Sequence, residues 1–167
     1  MAEGLKACRV PHTIGPTRLP KVVLEQTVGR HRALQDALDV VAKERELMDD
    51  RHAIQHMVLN LIDAWNRGNA QRFAAAFAPS AEYVAGLGQH VRGRDRIAEL
   101  VVPAHSDPRV TMVGRPRIEL DGSAGTVRFG WTAAGEGREP RQGFIRCTVV
   151  RHVNRWLIER LENDETT

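Results

Sequence analysis

The spacing of hydrophobic residues changes from a helical period to an alternating one near Pro79. Between residues 50 and 66 apolar side chains recur at i, i+3, i+4 and i+7, which indicates a helix with one buried face. A stretch from about Arg30 to Met48 has the same period and predicts a preceding helix, either separate or continuous with the next one. The buried face of the later helix consists of Ile54, Met57, Val58, Leu61, Ile62 and Trp65.

The ends and the polar face of the later helix are also marked in the sequence. Asp49 or Asp50 is suited to cap its start, and Gly68 is suited to end it. The polar face carries the segment HAIQH at 52–56, whose two histidines have the spacing of a helical metal pair. A zinc-protease motif also needs a glutamate after the first histidine, and Ala53 stands there. We therefore predict a solvated face that includes His52, His56, Asn60, Asp63 and Arg67.

After this helix the pattern predicts a short helix over 70–78 and then mainly strands. The predicted order is a strand at 80–86, a return strand at 90–93 and a helix at 93–102. Four longer strands follow at 110–120, 125–133, 141–153 and 155–162. In the second of these, Val127, Phe129 and Trp131 alternate with more polar residues, as on a sheet with one buried face. Helices on one side of an antiparallel sheet make an α+β fold, and a curved sheet around a long helix leaves a conical cavity.

The length of 167 residues suits one domain with an appendage. Residues 1–20 contain three prolines and predict an irregular lead-in, so we divide the chain into an N-terminal extension with one helix, 1–48, and a main domain, 49–167. No apolar run approaches the roughly 20 residues that cross a bilayer. The start of the chain also lacks a secretory apolar region, so we expect a cytoplasmic protein with no membrane partner.

Charge, cysteine content and the motifs of the sequence argue against nucleic-acid, metal and cofactor binding. The net charge is +3, the arginines are scattered and aromatic residues make up 5 % of the chain, so we expect no nucleic-acid partner. Cys8 and Cys147 belong to no metal-binding cluster, so no metal site is predicted, and Cys147 is expected to be a buried thiol. Glycine-rich phosphate loops and nucleotide motifs are absent from the sequence, so we expect no cofactor.

Three segments resemble the SnoaL-like members of the nuclear-transport-factor-2-like superfamily: AIQHMVLNLIDAWNRGNAQRFAAAFAPSAEYV, VRGRDRIAEL and VNRWLIERLEND. Together they cover about residues 50–164 and contain W-N-x-G, R-G-x-x-x-I and W-x-I patterns in that order. The resemblance implies a cystatin-like cone, in which a curved antiparallel sheet wraps around a long helix and encloses an apolar pocket. It also implies a homodimer.

The catalytic residues of known relatives do not carry over to this chain. The general-base aspartate of ketosteroid isomerase matches Ala85, and the tyrosine of its oxyanion hole matches Leu61. The acid that scytalone-dehydratase-like members carry near the end of the first helix is replaced by Asn66. The resemblance therefore argues against isomerase chemistry of that type. The superfamily includes enzymes as well as binding and association modules, so the fold alone leaves the function open.

Tyr83, His90 and His105 are the candidate catalytic residues. Tyr83 shares a strand face with Ala85, so its hydroxyl is placed to donate to a carbonyl ligand; the alternative is a core tyrosine with a satisfied hydroxyl. The two histidines lie near predicted strand or loop ends and suit a general base, or are exposed loop residues without a role. The predicted pocket lining is Val58, Leu61, Trp65, Ala85, Phe129, Trp131 and Arg146.

Arg146 and the N-terminal helix leave further alternatives. An arginine that points into the cone holds a carboxylate or enolate oxygen, whereas one that points outward is a surface charge. Because Arg146 alternates with Ile145 and Cys147, we expect it on the less apolar side. The helix of the extension is expected to cover the pocket or to extend the dimer.

Two function classes follow from these observations. The first is a cofactor-independent enzyme that acts by proton transfer on a small hydrophobic carbonyl compound, such as a polyketide-like or other secondary metabolite. The candidate reactions are cyclisation, isomerisation, dehydration and hydroxylation. The second class is a non-catalytic small-ligand-binding or dimeric assembly module of the same fold. Whether the protein is an enzyme stays open at the level of the sequence.

Overall fold

A computed structural model describes residues 21–101, 109–135, 137 and 139–166. The chain divides into two compact units, Met1–Lys43 and Glu44–Thr167. This division falls slightly before residue 48, where the sequence analysis places the end of the extension. The described residues of the first unit are helical, and all the described strands lie in the second unit.

Helix α1 runs without interruption from Lys21 to Asn66. The prediction that Asp49 or Asp50 caps a helix is therefore wrong, because both residues lie inside α1. The intervening segment 43–51 has neither proline nor glycine, so nothing in it stops the backbone hydrogen bonding of a helix. In the first unit, the described side chains 30–43 are all exposed, including Leu34 and Leu38.

The C-terminal end of α1 is closed by a glycine, as the sequence predicts. Gly68 has φ +62°. The N–H of Gly68 donates to the carbonyl oxygen of Trp65 at 2.9 Å. The N–H of Asn69 donates to the carbonyl oxygen of Ala64 at 2.8 Å. These two bonds form a Schellman motif, which requires the left-handed conformation that glycine adopts without strain. Asn69 then caps helix α2, Ala70–Ala74, by accepting from the N–H of Arg72.

Six strands form one sheet in the order β2-β1-β6-β5-β4-β3. Neighbouring strands are antiparallel except β1 and β6, which are parallel. A short 3-10 turn, Gly86–Gly88, joins β1 to β2, and helix α3, Arg94–Ala98, follows β2. The strands are β1 Phe77–Ala85, β2 Gln89–Arg92, β3 Arg109–Asp121, β4 Ala124–Ala134, β5 Arg141–His152 and β6 Arg155–Thr166.

Two predicted helices are shorter than the sequence pattern suggests. Phe77 and Ala78 belong to β1 instead of α2, because Phe77 pairs with Ile158 of β6 and is fully buried. An alanine-rich segment has helical propensity, but a pairing partner 81 positions away in the chain overrides it here. Helix α3 likewise ends at Ala98, before the predicted limit of 102.

The predicted apolar face of α1 packs against the concave side of the sheet. Ile54, Val58 and Leu61 are buried in a common core with residues of every strand except β2. Register shifts interrupt the β1–β6, β3–β4 and β5–β6 pairs, and such bulges bend a sheet. The α+β fold with a curved sheet around a long helix is thereby confirmed. No helix of the described segments is long and apolar enough to cross a membrane.

Candidate functional site

A cavity of about 120 Å³ lies between the end of α1 and the concave face of the sheet. We call it the cone cavity. Its volume is below the roughly 300 Å³ at the lower end of ligand pockets in general. Most of its wall is apolar and includes Leu61, Ile62, Trp65, Phe73, Ile145 and Leu161. The polar groups at its wall belong to Tyr83, Trp131, Arg141 and Asn163.

Three of these polar side chains form a chain of hydrogen bonds. The indole Nε1–H of Trp131 donates to Oδ1 of Asn163 at 2.8 Å, and the side chain of Asn163 also bonds to the hydroxyl of Tyr83. An indole nitrogen only donates, so the amide atom that faces Trp131 is the oxygen. The Nδ2 group of Asn163 is therefore the atom that faces Tyr83, and it donates to the phenolic oxygen. Among the described residues, the hydroxyl hydrogen of Tyr83 has no hydrogen-bond acceptor.

Burial raises the pKa of the Tyr83 phenol above its ordinary value of 10.0, an effect that the hydrogen bond from Asn163 partly opposes, so the phenol is neutral at physiological pH. Only 7 % of the residue is exposed. A neutral phenol in apolar surroundings is a hydrogen-bond donor to a carbonyl or phenolic oxygen, and the low local dielectric strengthens such a bond. Tyr83 therefore provides the cavity with one oriented donor.

The sheet register explains why these side chains meet. Tyr83 lies opposite Leu161 in the parallel β1–β6 pair, and Asn163 follows Leu161 by two positions, on the same face of β6. Trp131 of β4 lies opposite Gly143 of β5. A Cβ atom on Gly143 would stand 2.9 Å from Cζ2 of Trp131 and 2.3 Å from a backbone oxygen of β6. The absence of a side chain at Gly143 thus makes room for the indole.

Asn66 fastens the end of α1 to strand β3 beside the cavity. Its Nδ2 donates to the carbonyl oxygen of Val110 at 2.8 Å, and the N–H of Val110 donates to its Oδ1 at 2.8 Å. Val110 itself lines the cone cavity. In the sequence, Asn66 is notable only for standing where a dehydratase-like member has an acid. In the structure it is a positioning residue that joins two walls of the cavity.

Arg141 contributes a charged group at the edge of the cone cavity. Its guanidinium makes a two-pronged ion pair with the carboxylate of Glu165 on the adjacent strand. The hydrogen bond from Arg141 holds the pKa of Glu165 below its ordinary value. The two charges offset each other, so this edge of the cavity is close to neutral.

The structure brings some of the predicted site residues together. Tyr83, Leu61, Trp65 and Trp131 all line the cone cavity. Val58 and Phe129 are buried core residues that are not part of its wall. Ala85 is half-buried near the end of β1 and is also outside the wall, whereas Arg146 is exposed and lies 3.7 Å from Glu162.

The two predicted histidines differ in what the structure shows. In the β1–β2 pair, Tyr83 lies opposite Val91, so the neighbouring His90 points to the other face of the sheet. There His90 is exposed, with its Nε2 3.6 Å from a carboxylate oxygen of Glu82. His105 lies outside the described residues. Within the part of the cavity wall that the structure describes, no imidazole or carboxylate side chain is present.

Asn163 and Arg141 also line the cavity and were not among the predicted site residues. A signal for Asn163 exists, because it follows the buried Leu161 by two positions and period-two geometry puts both on one strand face. The described residues contain no cluster of three or more histidine, cysteine, aspartate or glutamate side chains suited to a metal ion.

Comparison with protein families identifies the class of protein. The SnoaL-like domain family matches residues 46–162. The chain therefore belongs to the SnoaL-like family. A search of curated proteins gives no match.

Solved structures agree with this fold. An NTF2-like protein with a cystatin-like fold from Novosphingobium aromaticivorans is 22 % identical, with a TM-score of 0.65 over 74 % of this chain and 86 % of that one. A candidate scytalone dehydratase from the same organism is 18 % identical, with a TM-score of 0.63 over 75 % and 89 %. A candidate aromatic ring hydroxylase, also from that organism, is 17 % identical, with a TM-score of 0.60 over 72 % and 91 %. At these identities the similarity establishes the fold.

Proposed function

We propose that the cone cavity binds a small, mainly apolar molecule and polarises its one carbonyl or phenolic oxygen through the hydroxyl of Tyr83. The observation that carries this proposal is the hydrogen-bond chain from Trp131 through Asn163 to Tyr83. In this arrangement the phenol oxygen accepts from Asn163, and the phenol hydrogen remains to be donated to a ligand oxygen. Such a preorganised donor stabilises negative charge that develops on a substrate oxygen.

The cavity volume limits the ligand to about one ring. An engineered cavity of about 150 Å³ in another protein takes up benzene, and the cone cavity measures about 120 Å³. A monocyclic or short-chain carbonyl compound is therefore the favoured ligand, and one-ring polyketide-like metabolites fall in this class. Larger polycyclic compounds require the cavity to widen.

Binding is tested by titrating cyclohexanone, which has a carbonyl oxygen, and toluene, which has none, into wild-type protein and Tyr83→Phe. The indole N–H signal of Trp131 in a ¹⁵N NMR spectrum reports occupancy of the cavity. Loss of one neutral hydrogen bond is expected to weaken cyclohexanone binding by about fivefold in the variant, because such a bond contributes about 1 kcal/mol. Toluene affinity should not fall. Equal cyclohexanone affinity in both proteins would remove Tyr83 from the site.

A cofactor-free proton-transfer enzyme is the second candidate, and it needs a base as well as Tyr83. Two structural relatives described as a candidate dehydratase and a candidate hydroxylase support this class. His105 is the base that the sequence predicts. Deuterium exchange at the α-carbon of cyclohexanone in heavy water measures proton abstraction directly. We expect the wild-type protein to catalyse this deuterium exchange faster than buffer alone. His105→Gln should abolish the extra exchange while cyclohexanone binding persists. Exchange at the buffer rate in the wild type would contradict the enzyme proposal and favour a binding protein.

We also propose that the protein is a homodimer that pairs through the convex face of the sheet. Val113, Gly130 and Phe144 form a row across β3, β4 and β5, and Val113 and Phe144 are 54 % and 66 % exposed. Apolar surface of this kind supports an interface. Analytical ultracentrifugation should show a dimer that Phe144→Ser weakens. The matched control is Val153→Ser, which changes an exposed valine on the β5–β6 turn, and a monomeric wild type contradicts the proposal.

A further inference from the structure

A second and larger cavity lies on the other side of α1, within the same compact unit. It measures about 400 Å³ and is open to solvent along one side. Its walls come from the polar face of α1, the end of α2, the β5–β6 turn and the start of β6. We call it the outer groove and define it by His56, Met57, Asn60, Arg72, Arg155 and Trp156.

The polar residues of the outer groove converge from separate parts of the chain. His56 and Asn60 are one helical turn apart, so both point from α1 into the groove. Arg72 reaches it from α2, and Arg155 reaches it from the first position of β6. The sequence pattern predicts that the face of α1 with His56 is an ordinary solvent-exposed surface. In the structure this surface forms one wall of a concave site.

The outer groove carries an excess of positive charge. None of the described residues that line it is acidic. Arg155 has no ion-pair partner among the described residues, and its side chain lies at the surface. Arg72 is 3.3 Å from Asp63, but the same carboxylate also binds Arg67 at 2.7 Å. Two guanidinium groups therefore share one carboxylate, which leaves one of these positive charges uncompensated.

Beneath these charges the floor of the groove is apolar. It includes Met57, Leu61, Trp156 and Leu157, of which Trp156 is only 6 % exposed. The Trp156 ring is held in place by its Nε1–H, which donates to Oδ1 of Asp50 at 2.9 Å. A fixed aromatic wall next to uncompensated cations suits a ligand that has both an apolar part and an anionic group.

We propose that the outer groove binds a small amphiphilic anion, whose phosphate or carboxylate contacts Arg72 and Arg155 and whose apolar part packs against Met57 and Trp156. Arginine suits this role because its planar guanidinium binds the oxygens of such groups with two parallel hydrogen bonds. His56 and Asn60 add donors along the helix wall. This site is separate from the cone cavity and does not depend on the function proposed for Tyr83.

The test follows the indole N–H signals of the three tryptophans during titration with n-hexyl phosphate. Trp156 lines the outer groove, whereas Trp65 and Trp131 line the cone cavity, so the shifted signal identifies the occupied site. We expect the Trp156 signal to move in wild-type protein. Arg155→Gln and Arg72→Gln should each weaken binding by at least about tenfold, since a charge-assisted hydrogen bond contributes at least about 1.5 kcal/mol. Arg128→Gln, an exposed arginine on β4 outside the groove, is the matched control.

Two further probes each contain only one part of n-hexyl phosphate and test whether binding needs both parts. Inorganic phosphate lacks the apolar part and 1-hexanol lacks the charge, so both should bind at least tenfold more weakly than n-hexyl phosphate. Equal binding of either probe, no shift of Trp156, or equal affinity in the arginine variants would overturn the proposal. Unchanged melting temperatures of the variants show that lost binding is not lost folding.

A membrane lipid, like a soluble alkyl phosphate, has a phosphate joined to an apolar chain. A separate vesicle-binding experiment distinguishes these two ligands. The groove volume suits a whole small molecule. Co-sedimentation with phosphatidylglycerol vesicles is therefore expected to be absent, or unchanged in the arginine variants. Vesicle binding that is lost in Arg155→Gln would overturn the small-molecule proposal in favour of a lipid surface.

Discussion

The cone cavity and the outer groove lie on two sides of the same stretch of helix, and Leu61 borders both. They differ in how their polar side chains are used. In the cone cavity, Asn163 accepts a hydrogen bond from Trp131 and interacts with the hydroxyl of Tyr83. In the outer groove, Arg155 has no ion-pair partner in the described part of the chain. The smaller site is thus preorganised by internal hydrogen bonds, whereas the larger one offers free donors.

This difference predicts which substitutions lower the free energy of unfolding and which affect ligand binding alone. A side chain that holds another side chain in place costs folding free energy when it is removed, because the partner is left unsatisfied. An exposed side chain without a partner costs little, since most surface substitutions change stability by less than about 0.5 kcal/mol. We therefore expect the cone wall to be sensitive to substitution and the arginines of the groove to be tolerant of it.

The largest expected effect concerns Cys147, which lies in one row across the sheet with Leu161 and Tyr83. Burial raises the pKa of its thiol from 9.0 to about 12. Because the folded-state pKa is the higher one, the stabilisation is complete below about pH 9 and is lost as pH rises to about 12. A pKa difference of about 3 corresponds to about 4 kcal/mol.

Urea unfolding at several pH values between 8 and 11 measures this loss for wild-type protein and Cys147→Ala. We expect the wild-type free energy of unfolding to fall more steeply with pH, by up to about 1.4 kcal/mol per pH unit. Cys8 is present in both proteins and cancels in the comparison. Parallel pH profiles would mean that the thiol is accessible to solvent and that the core beside the cone cavity is loosely packed.

Gly143→Ala is expected to destabilise the protein by about 2 kcal/mol, because the new Cβ would collide with Trp131 and with the backbone of β6. Gly130→Ala is the matched control, since its nearest atom outside the adjacent residues is Cβ of Val113 at an ordinary 3.5 Å. Thermal melts of both variants test the difference. If Gly130→Ala is as costly as Gly143→Ala, the effect belongs to strand glycines in general.

Asp50→Ala is expected to destabilise the protein by about 1–2 kcal/mol, since the buried indole N–H of Trp156 would lose its acceptor. Asp50→Asn keeps an acceptor oxygen and removes only the charge that faces Arg151 at 3.2 Å. It should therefore cost less than half as much in denaturant unfolding. Equal losses for the two variants would show that charge, not the bond to Trp156, is what matters in this wall of the groove.

The smallest effect is a gain of about 1 kcal/mol for Val153→Gly. Val153 occupies the β5–β6 turn with φ 57°, a conformation that costs L-residues about 1–2 kcal/mol and suits glycine. Asn154→Gly changes the adjacent groove residue, whose φ is not positive, and should give no gain. Thermal melts compare the two variants. A stability gain in both would show that the gain does not come from the positive φ of Val153.

Much of the fold was predictable because its signals are local. The period of the apolar residues identifies the face formed by Ile54, Val58 and Leu61, and a single glycine, Gly68, marks the helix end. The alternation of Val127, Phe129 and Trp131 identifies the concave side of β4. These patterns depend only on side-chain direction within one element.

The site was predictable only in part because its geometry depends on pairing between distant strands. Tyr83 and Trp131 were identified from alternation, but the contact of Asn163 with both follows from the parallel pairing of β1 with β6. The position of His90 depends on the register of the β1–β2 pair, and its exposure could not be derived from its place near a strand end. The sequence left open whether α1 continues past Asp50, because an acidic residue suits both a cap and a helix interior near a basic partner, here Arg151.

The parallel pairing of β1 with β6 also has a consequence for how the protein is made. Glu82 pairs with Arg160 and Tyr83 with Leu161, so the early strands β1 and β2 join the rest of the sheet only through β6. During synthesis on the ribosome these two strands can pair only with each other until β6 has emerged. Because contacts so distant in sequence form slowly, closure of the sheet is expected to be a late step in folding. Tyr83 acquires its amide partner at that same step, so the nascent chain gains its binding site only as it completes its fold.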